Sequence, residues 1–260
     1  MHDLLKRVTE TGFAFPRRLI HLFVGGSELH GAKVHGTDDL DIYGLFVEPP
    51  ELVLGLDSMP HFVWSTAGND RRNGPKDVDV TLYSLKKWAA LACKGNPTAL
   101  HFLFTKSAVR SRIWSAILAN KRVFLSRTCV PQFLGFANAQ LRRMTGELGR
   151  GQKGQRPDLE QKFGYDVKAG MHVLRLLYEC QELVSSGKIT LPRPERDLLI
   201  RVRTGQYSKE KVIAMAQKLF AECEEAANYS SLPATIDRAT VSALIAKSYR
   251  NAWAGRGVGK

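Results

Sequence analysis

The sequence predicts an α+β protein in which a mixed β-sheet with flanking helices precedes an all-α C-terminal domain. Short segments rich in β-branched and aliphatic residues, bounded by Gly, Pro, Asn and Asp, fill residues 18–84. From about residue 110 onward, apolar residues recur with the 3.6-residue period of a helix instead. The chain of 260 residues is 44% hydrophobic, which suffices for two domains. We expect their boundaries at 1–125 and 126–260.

Four segments of the N-terminal part have the composition of β-strands, and they are 18–24, 40–47, 57–65 and 76–84. The first strand leads into a Gly-Gly-Ser turn, and a short helix is predicted over 28–34. Gly, Asn and Pro punctuate the loop between the last two strands, which also carries Arg71 and Arg72.

Helical periodicity begins after the fourth strand and continues to the end of the chain. It predicts helices over 84–95, 96–105, 111–125, 130–148, 165–187, 208–230 and 237–253. In the second of these, Asn96 is the expected N-cap, because Pro97 follows at the first helical position. The C-terminal half is therefore expected to be helical throughout.

The net charge of +13, from 38 Lys and Arg against 25 Asp and Glu, favours a polyanionic partner such as nucleic acid, a nucleotide or anionic lipid. No apolar run approaches the roughly 20 residues of a membrane-spanning helix, and the N-terminal residues lack the apolar core of a secretory signal. We therefore expect a cytoplasmic protein with no membrane partner. The four cysteines have no zinc-site spacing and are expected to be reduced thiols.

Two carboxylates alternate with aliphatic residues on the second predicted strand. Asp39 and Asp41 point to one face of this strand, while Leu40 and Ile42 point to the other. Carboxylates this close repel each other, and a bound divalent cation such as Mg²⁺ removes the repulsion. The alternative is that both aspartates form the solvated face of an amphipathic edge strand and that Gly25-Gly26 is an ordinary turn.

The Gly-Gly-Ser turn ahead of these aspartates offers a second kind of ligand group. The backbone N–H of Gly26 and the hydroxyl of Ser27 are suited to hold phosphate oxygens. The paired aspartates and the Gly-Gly-Ser turn complement each other. A bound triphosphate needs both divalent cations and hydrogen-bond donors around its phosphates.

The stretch "GGS" followed by "DDLDIYG" resembles the signature of the DNA polymerase beta-type nucleotidyltransferase superfamily. In that signature Gly-Ser precedes two alternating carboxylates, and a third carboxylate lies on a later strand. The resemblance assigns Asp79 to the third position, since it is centred in the strand "KDVDVTLYS". Asp77 shares its face and is the competing assignment.

Within this superfamily the chain most closely resembles the RlaP-type nucleotidyltransferases, which are associated with RNA repair. The resemblance covers most of the chain and includes "TLYSLKKWAALACKGNPTALHFLF" and "KAGMHVLRLLYECQELVSSGKITLP". The chain departs from the pattern at Asp38, where Ser is usual, and at Tyr43, where Arg is common.

The resemblance also implies a basic helix face that closes over the triphosphate, formed by Lys168, His172 and Arg175. These positions fall on one stripe of the helix predicted over 165–187. The alternatives are a solvated face in which Arg175 pairs with Glu179, and a core position for His172.

The reaction implied by the resemblance is transfer of a nucleoside monophosphate from a triphosphate such as ATP to an acceptor hydroxyl, with release of pyrophosphate. Two Mg²⁺ or Mn²⁺ ions would be held by Asp39, Asp41 and Asp79. A nucleic-acid end, RNA in particular, is the favoured acceptor. Alternatives are transfer to a protein or small molecule, and a non-catalytic nucleotide- or RNA-binding protein. The oligomeric state is open.

A glycine-rich basic segment is a candidate for binding the acceptor backbone. Its cations are Arg142, Arg143, Arg150, Lys153 and Arg156. Arg71 and Arg72, near the inferred site, are candidates of the same kind. In each case the alternative is an ordinary surface loop.

Overall fold

The computed structural model describes residues 2–34, 36, 39–68, 73–147 and 156–255, leaving aside the side chains of residues 2 and 3. The chain forms two compact units. The first comprises Met1–Cys93, Thr105–Phe124 and Asp237–Lys260, and the second comprises Lys94–Phe104 and Leu125–Ile236. The predicted α+β class with a helical C-terminal region is confirmed. The division differs from a single boundary at residue 125, because the last helix belongs to the first unit.

Within the described residues, the sheet of the first unit has five strands: β1 (Leu19–Val24), β2 (Leu40–Phe46), β3 (His61–Ser65), β4 (Val78–Ser84) and β5 (Val109–Arg110). Their order across the sheet is β3-β4-β2-β1-β5. Strands β2 and β4 are parallel, whereas the other neighbouring pairs are antiparallel. The sheet is therefore mixed, as predicted, and the short edge strand β5 is an addition to the prediction.

The helices in chain order are α1 (His2–Thr9), α2 (Gly26–Leu29), α3 (Pro50–Leu54), α4 (Leu85–Cys93), α5 (Pro97–His101), α6 (Arg112–Ala119), α7 (Cys129–Thr145), α8 (Pro157–Phe163), α9 (Val167–Ser186), α10 (Arg196–Arg203), α11 (Lys209–Asn228) and α12 (Arg238–Trp253). A 3₁₀ helix, Lys121–Phe124, follows α6. In the described residues, no helix has both the length and the apolar character needed to cross a bilayer.

One face of the sheet packs against the N-terminal segment. Leu22, Ile42, Val80 and Leu82 form a buried cluster there with Val8 of α1. Burial alternates with the two-residue period of a strand along all of β4 and along the first five residues of β2. This alternation sends the aliphatic residues into the core and turns the intervening residues to the opposite face.

The opposite face of the sheet carries polar and aromatic side chains. Phe23 of β1 lies opposite Tyr43 of β2 in the register, and the two rings are stacked at 5.8 Å. Two residues away, the His21 ring stacks on Trp114 of α6, with ring centroids 4.6 Å apart. Trp88 of α4 packs edge-on against Trp114 at 5.0 Å. Helices α4 and α6 therefore cover the part of this face next to the Phe23–Tyr43 ring pair.

Helix α12 attaches to the first unit through a buried carboxylate. The Tyr249 hydroxyl donates a hydrogen bond to Glu48, and it accepts one from the backbone N–H of Lys86 at 3.0 Å. Trp253 Nε1 donates to the Glu48 carbonyl at 2.9 Å. Burial, and then the hydrogen bond to Glu48, raise the pKa of Tyr249. These bonds explain why the C-terminal helix returns to the sheet.

The second unit is built around α9, which packs against α7, α10 and α11. Asp166 is the N-cap of α9 and accepts a hydrogen bond from the backbone N–H of Ala169 at 2.9 Å. Its other carboxylate oxygen accepts a bond from Arg156 at 2.9 Å. The predicted helices are present here, and α8 and α10 are additions to the prediction.

Candidate functional site

Three aspartates converge where β2 and β4 begin. Asp41 of β2 lies directly opposite Asp79 of β4 in the parallel register. Because residues at matched positions of neighbouring strands point to the same face, their side chains emerge together. Asp39 lies immediately before β2. One carboxylate oxygen from each of the three lies within 4.8 Å of the others, and all three residues are half-buried.

Asn73 bridges two of these carboxylates. Its Nδ2 donates to Asp39 Oδ2 at 3.0 Å and also to Asp79 Oδ2. Its Oδ1 accepts a hydrogen bond from Ser65 Oγ at 3.3 Å. Sequence analysis missed Asn73, since an Asn in a loop is usually a turn residue.

The cluster leaves one carboxylate oxygen unsatisfied. Asp79 Oδ1 is buried and has no hydrogen-bond partner among the described residues. A buried acceptor without a partner costs about 1–3 kcal/mol. Clustered carboxylate oxygens of this kind are the ligands that Mg²⁺ and Mn²⁺ prefer. The residues present therefore fit a divalent cation site.

Asp77, the competing residue, has a different place in the structure. It is buried, and its Oδ1 accepts a hydrogen bond from Thr66 Oγ1 at 2.9 Å. Its Oδ2 accepts one from the backbone N–H of Gly74 at 2.7 Å. Both oxygens thus hold the loop ahead of β4, and it is Asp79 that lies with Asp39 and Asp41.

The Gly-Gly-Ser turn lies against the same carboxylates. The Gly25 N–H donates to the Asp41 carbonyl at 2.8 Å. Gly26 has a φ of +57°, and a Cβ at this position would lie 1.8 Å from Asp41 Oδ2. A Cβ at Gly25 would lie 2.3 Å from the Tyr43 ring. Only glycine therefore allows this approach of backbone to carboxylate.

Ser27 follows directly in α2, which begins at Gly26 rather than within the predicted span of 28–34. The helix is only four residues long, because the chain turns away at His30. Ser27 is half-buried, and its hydroxyl makes no hydrogen bond to the part of the chain that the structure describes. The hydroxyl is thus available beside Gly26 and Asp41.

A cavity of about 260 Å³ opens over Asp41 and Asp79. Its other walls come from β2, β3 and the loop ahead of β4, and they include Tyr43, Trp64, Ser65, Gly68 and Asn73. Trp64 also contacts the sheet core and lies 5.5 Å from the Phe13 ring. The carboxylates are consequently accessible from one side and supported by apolar packing on the other.

The basic stripe predicted from the resemblance lies on α9 in the second unit. Lys168, His172 and Arg175 are all half-buried. Arg175 Nη1 donates to both oxygens of Glu179 at 3.1 Å, and Glu179 is fully buried. His101 Nε2 lies 3.0 Å from the same carboxylate. The pairing of Arg175 with Glu179 is therefore present but buried, and triphosphate binding by the stripe stays a prediction.

The glycine-rich basic segment is described only in part. Arg142 lies 3.8 Å from Glu147 in an exposed pair, whereas Arg156 forms the ion pair with Asp166 at the start of α9. Arg156 thus has a structural role. Five predicted residues of interest lie outside the described residues, and they are Asp38, Arg71, Arg72, Arg150 and Lys153.

Comparison with known proteins adds a family match over nearly the whole chain. The model of the family described as "RlaP: RNA repair pathway DNA polymerase beta family" matches residues 2–246. An uncharacterized 38.9 kDa protein of Enterobacteria phage T4, from the nrdC-mobD intergenic region, is 31% identical over 120 residues. That match covers 44% of this chain and 35% of the phage protein, so the chain spans about a third of the relative.

Comparison with solved structures finds a nucleotidyltransferase-like protein from Exiguobacterium sibiricum. It is 14% identical, with 87% of this chain and 73% of that chain covered, and the TM-score is 0.30. A likeness this low supports no conclusion about activity.

Proposed function

Because the chain belongs to the RNA repair pathway DNA polymerase beta family, we propose that it is a metal-dependent nucleotidyltransferase that acts on an RNA end. It would transfer a nucleoside monophosphate from a nucleoside triphosphate to an acceptor hydroxyl and release pyrophosphate. The observation that supports this most strongly is the convergence of three carboxylates within 4.8 Å beside a glycine turn.

The proposal gives each residue of the cluster a role. Asp39, Asp41 and Asp79 would hold two Mg²⁺ or Mn²⁺ ions, and the unsatisfied Asp79 Oδ1 supports its part in this. When bound, such ions would neutralise triphosphate oxygens and the charge that develops as the leaving group departs. The Gly26 N–H and the Ser27 hydroxyl would bind the β- and γ-phosphates. Lys168, His172 and Arg175 would bind the triphosphate through their positive charge.

In the transfer step, the acceptor hydroxyl oxygen forms a bond to the α-phosphorus. The bond from this phosphorus to the bridging oxygen breaks, and pyrophosphate leaves with the electron pair. As the superfamily resemblance implies, we assign Asp79 a part in accepting the hydroxyl proton, which then passes to solvent.

A nucleic-acid acceptor agrees with the net charge of +13 and with the family's description. The carboxylates would serve a protein or small-molecule hydroxyl equally well, so the acceptor must be identified by experiment. Steep loss of acceptor binding with rising salt would distinguish a nucleic acid from a small acceptor.

The experiment that tests the proposal supplies each α-³²P-labelled NTP with Mg²⁺ or Mn²⁺ and pools of RNA, DNA or protein. We expect label to appear on RNA, together with released pyrophosphate. Label on protein, on DNA or on a small molecule would show that RNA is not the acceptor and would identify the acceptor instead. Absence of label from every pool with every nucleotide would overturn the enzymatic function.

A further inference from the structure

A basic helical layer covers part of the sheet face from which Asp41 and Asp79 emerge. We define the layer as α4, α6, the 3₁₀ helix and α12. Residues 80–146 contain no Asp or Glu, and neither does α12. The layer exposes Lys86, Lys87, Arg112, Arg122, Arg238, Lys247 and Arg250. Among the described residues, none of these seven forms a salt bridge. The layer therefore presents charge of a single sign.

The layer is concave rather than flat. A groove of about 450 Å³ runs between α4 and α12, with Lys86, Arg238 and Arg250 on its walls, and none of its described lining residues is acidic. A second groove of about 330 Å³ lies between α6 and α12 and carries Arg112 and Lys247. Helix α12 is thus flanked on both sides by concave, positively charged surface.

The floor of the larger groove is apolar and recessed. It is lined by Ala89, Val241, Ile245 and the half-buried Trp253. Val241 and Ile245 are only 4% and 9% exposed. Residues this deep do not protrude into a bilayer, but they can receive a planar base. The groove therefore differs from a membrane-binding surface, where apolar side chains project outward.

The spacing of the cations suits a polymer better than a single anion. Arg238 and Arg250 are twelve positions apart on α12, which corresponds to about 18 Å along the helix axis. Nucleic-acid strands carry a phosphate every few ångströms, so several phosphates fit within this span. Grooves that combine backbone-binding cations with aromatic side chains are typical of single-strand binding, and Trp253 is an aromatic residue of this groove.

We propose that the basic helical layer binds single-stranded nucleic acid, with phosphates on the rim cations and bases against the apolar floor. That the bound strand is the acceptor rests on the proposed function. The binding itself does not depend on it, because the layer includes none of the three aspartates. Asp41 and Asp79 lie where β2 and β4 begin, whereas α12 is bonded to Glu48 and Lys86 beyond the ends of these strands, so an acceptor held on the layer has to run along the sheet to bring its end to the aspartates.

The test measures binding of a fluorescein-labelled single-stranded RNA 20-mer by anisotropy across a salt series. The variant is Arg238→Gln/Arg250→Gln, and its matched control is Lys188→Gln/Lys211→Gln, which removes the same charge from exposed positions of the second unit. We expect the variant, but not the control, to bind RNA about tenfold more weakly than wild type. The slope of log K against log salt concentration should be smaller in magnitude by about 1.4, since two phosphate contacts are lost. A DNA 20-mer and phosphatidylserine vesicles are measured in parallel.

Equal weakening of the variant and its control would overturn the proposal, because it would reflect total charge only. So would unchanged RNA binding, or a larger loss for the vesicles than for RNA. Should Arg238→Gln/Arg250→Gln fail to fold, Arg112→Gln/Lys247→Gln tests the second groove. The Asp39→Asn/Asp41→Asn variant should bind RNA normally. If wild type transfers no nucleotide yet binds RNA through the layer, the proposed function fails and the binding surface stands.

Discussion

Asp41 and Asp79 lie opposite each other in the parallel pairing of β2 with β4, and each comes second in its strand. The parallel pairing of β2 with β4 thus brings two carboxylates to one point of the sheet. Replacing Asp79 by Asn keeps the shape and removes the charge. We expect the loss of transfer to exceed the roughly 10–100-fold typical of an outer-shell partner.

The matched control is Asp57→Asn, because Asp57 is exposed and lies outside the cluster. Both variants should show wild-type circular dichroism and melting. Comparable turnover of Asp79→Asn and Asp57→Asn would show that Asp79 takes no part in the reaction.

Asn73 is expected to position Asp39 and Asp79 without binding the cation. It donates to one oxygen of each, and Ser65 orients it. Substitution Asn73→Ala should therefore weaken Mn²⁺ binding by about 10–100-fold. Calorimetric titration with Mn²⁺ measures this without reference to turnover. Unchanged affinity would mean that the bridging hydrogen bonds do not support the site.

Gly26 and Gly68 offer a comparison of two glycines with similar backbone. Their φ values are +57° and +65°, but only Gly26 lies against Asp41. Gly68→Ala should cost about 1 kcal/mol from the left-handed conformation alone. Gly26→Ala should cost more and should also displace the Asp41 carboxylate, with loss of Mn²⁺ binding. Urea unfolding and Mn²⁺ titration of both variants test this prediction. Equal stability and equal Mn²⁺ affinity of the two variants would contradict it.

His21 should make the stability depend on pH. Burial, reinforced by the charge of Arg110, lowers the pKa of His21 to about 3. The unfolded chain takes up a proton near pH 6.5 while the folded chain does not, so stability is full above pH 6.5 and falls as the pH drops toward 3. From pH 6.5 to 4.5, this amounts to about 2–3 kcal/mol.

The variant His21→Phe keeps an aromatic ring against Trp114 and cannot titrate. Urea unfolding at pH 7.5 and 4.5 should show a smaller drop for this variant than for wild type. The same drop in both proteins would rule out His21 as the source.

The local part of the fold was predictable because it depends on periodicity. The two-residue alternation predicts the strands β2 and β4 and the common face of Asp39 and Asp41, whereas it is the family resemblance that assigns Asp79 to this site. The placement of Asp79 rather than Asp77 in the cluster agrees with the preference for the centred residue. Its chemical role stays a prediction.

The remainder depends on contacts between residues far apart in sequence. Tyr249 reaches Glu48 across 201 positions, and no local pattern in α12 indicates this partner. Asn73 belongs to the site because its side chain donates to Asp39 and Asp79, which are 34 and 6 positions away in sequence. The burial of Glu179 likewise depends on packing around α9, whereas its spacing from Arg175 alone suggests an exposed pair.

The most direct test of the central claim is Mn²⁺ binding to the protein without nucleotide, since ATP would itself bind the ion, followed by electron paramagnetic resonance as loss of the free-ion signal. Wild-type protein should take up Mn²⁺, and the Asp41→Asn/Asp79→Asn variant should leave it free while remaining folded. Equal uptake by both proteins would contradict the claim that these carboxylates form the metal site.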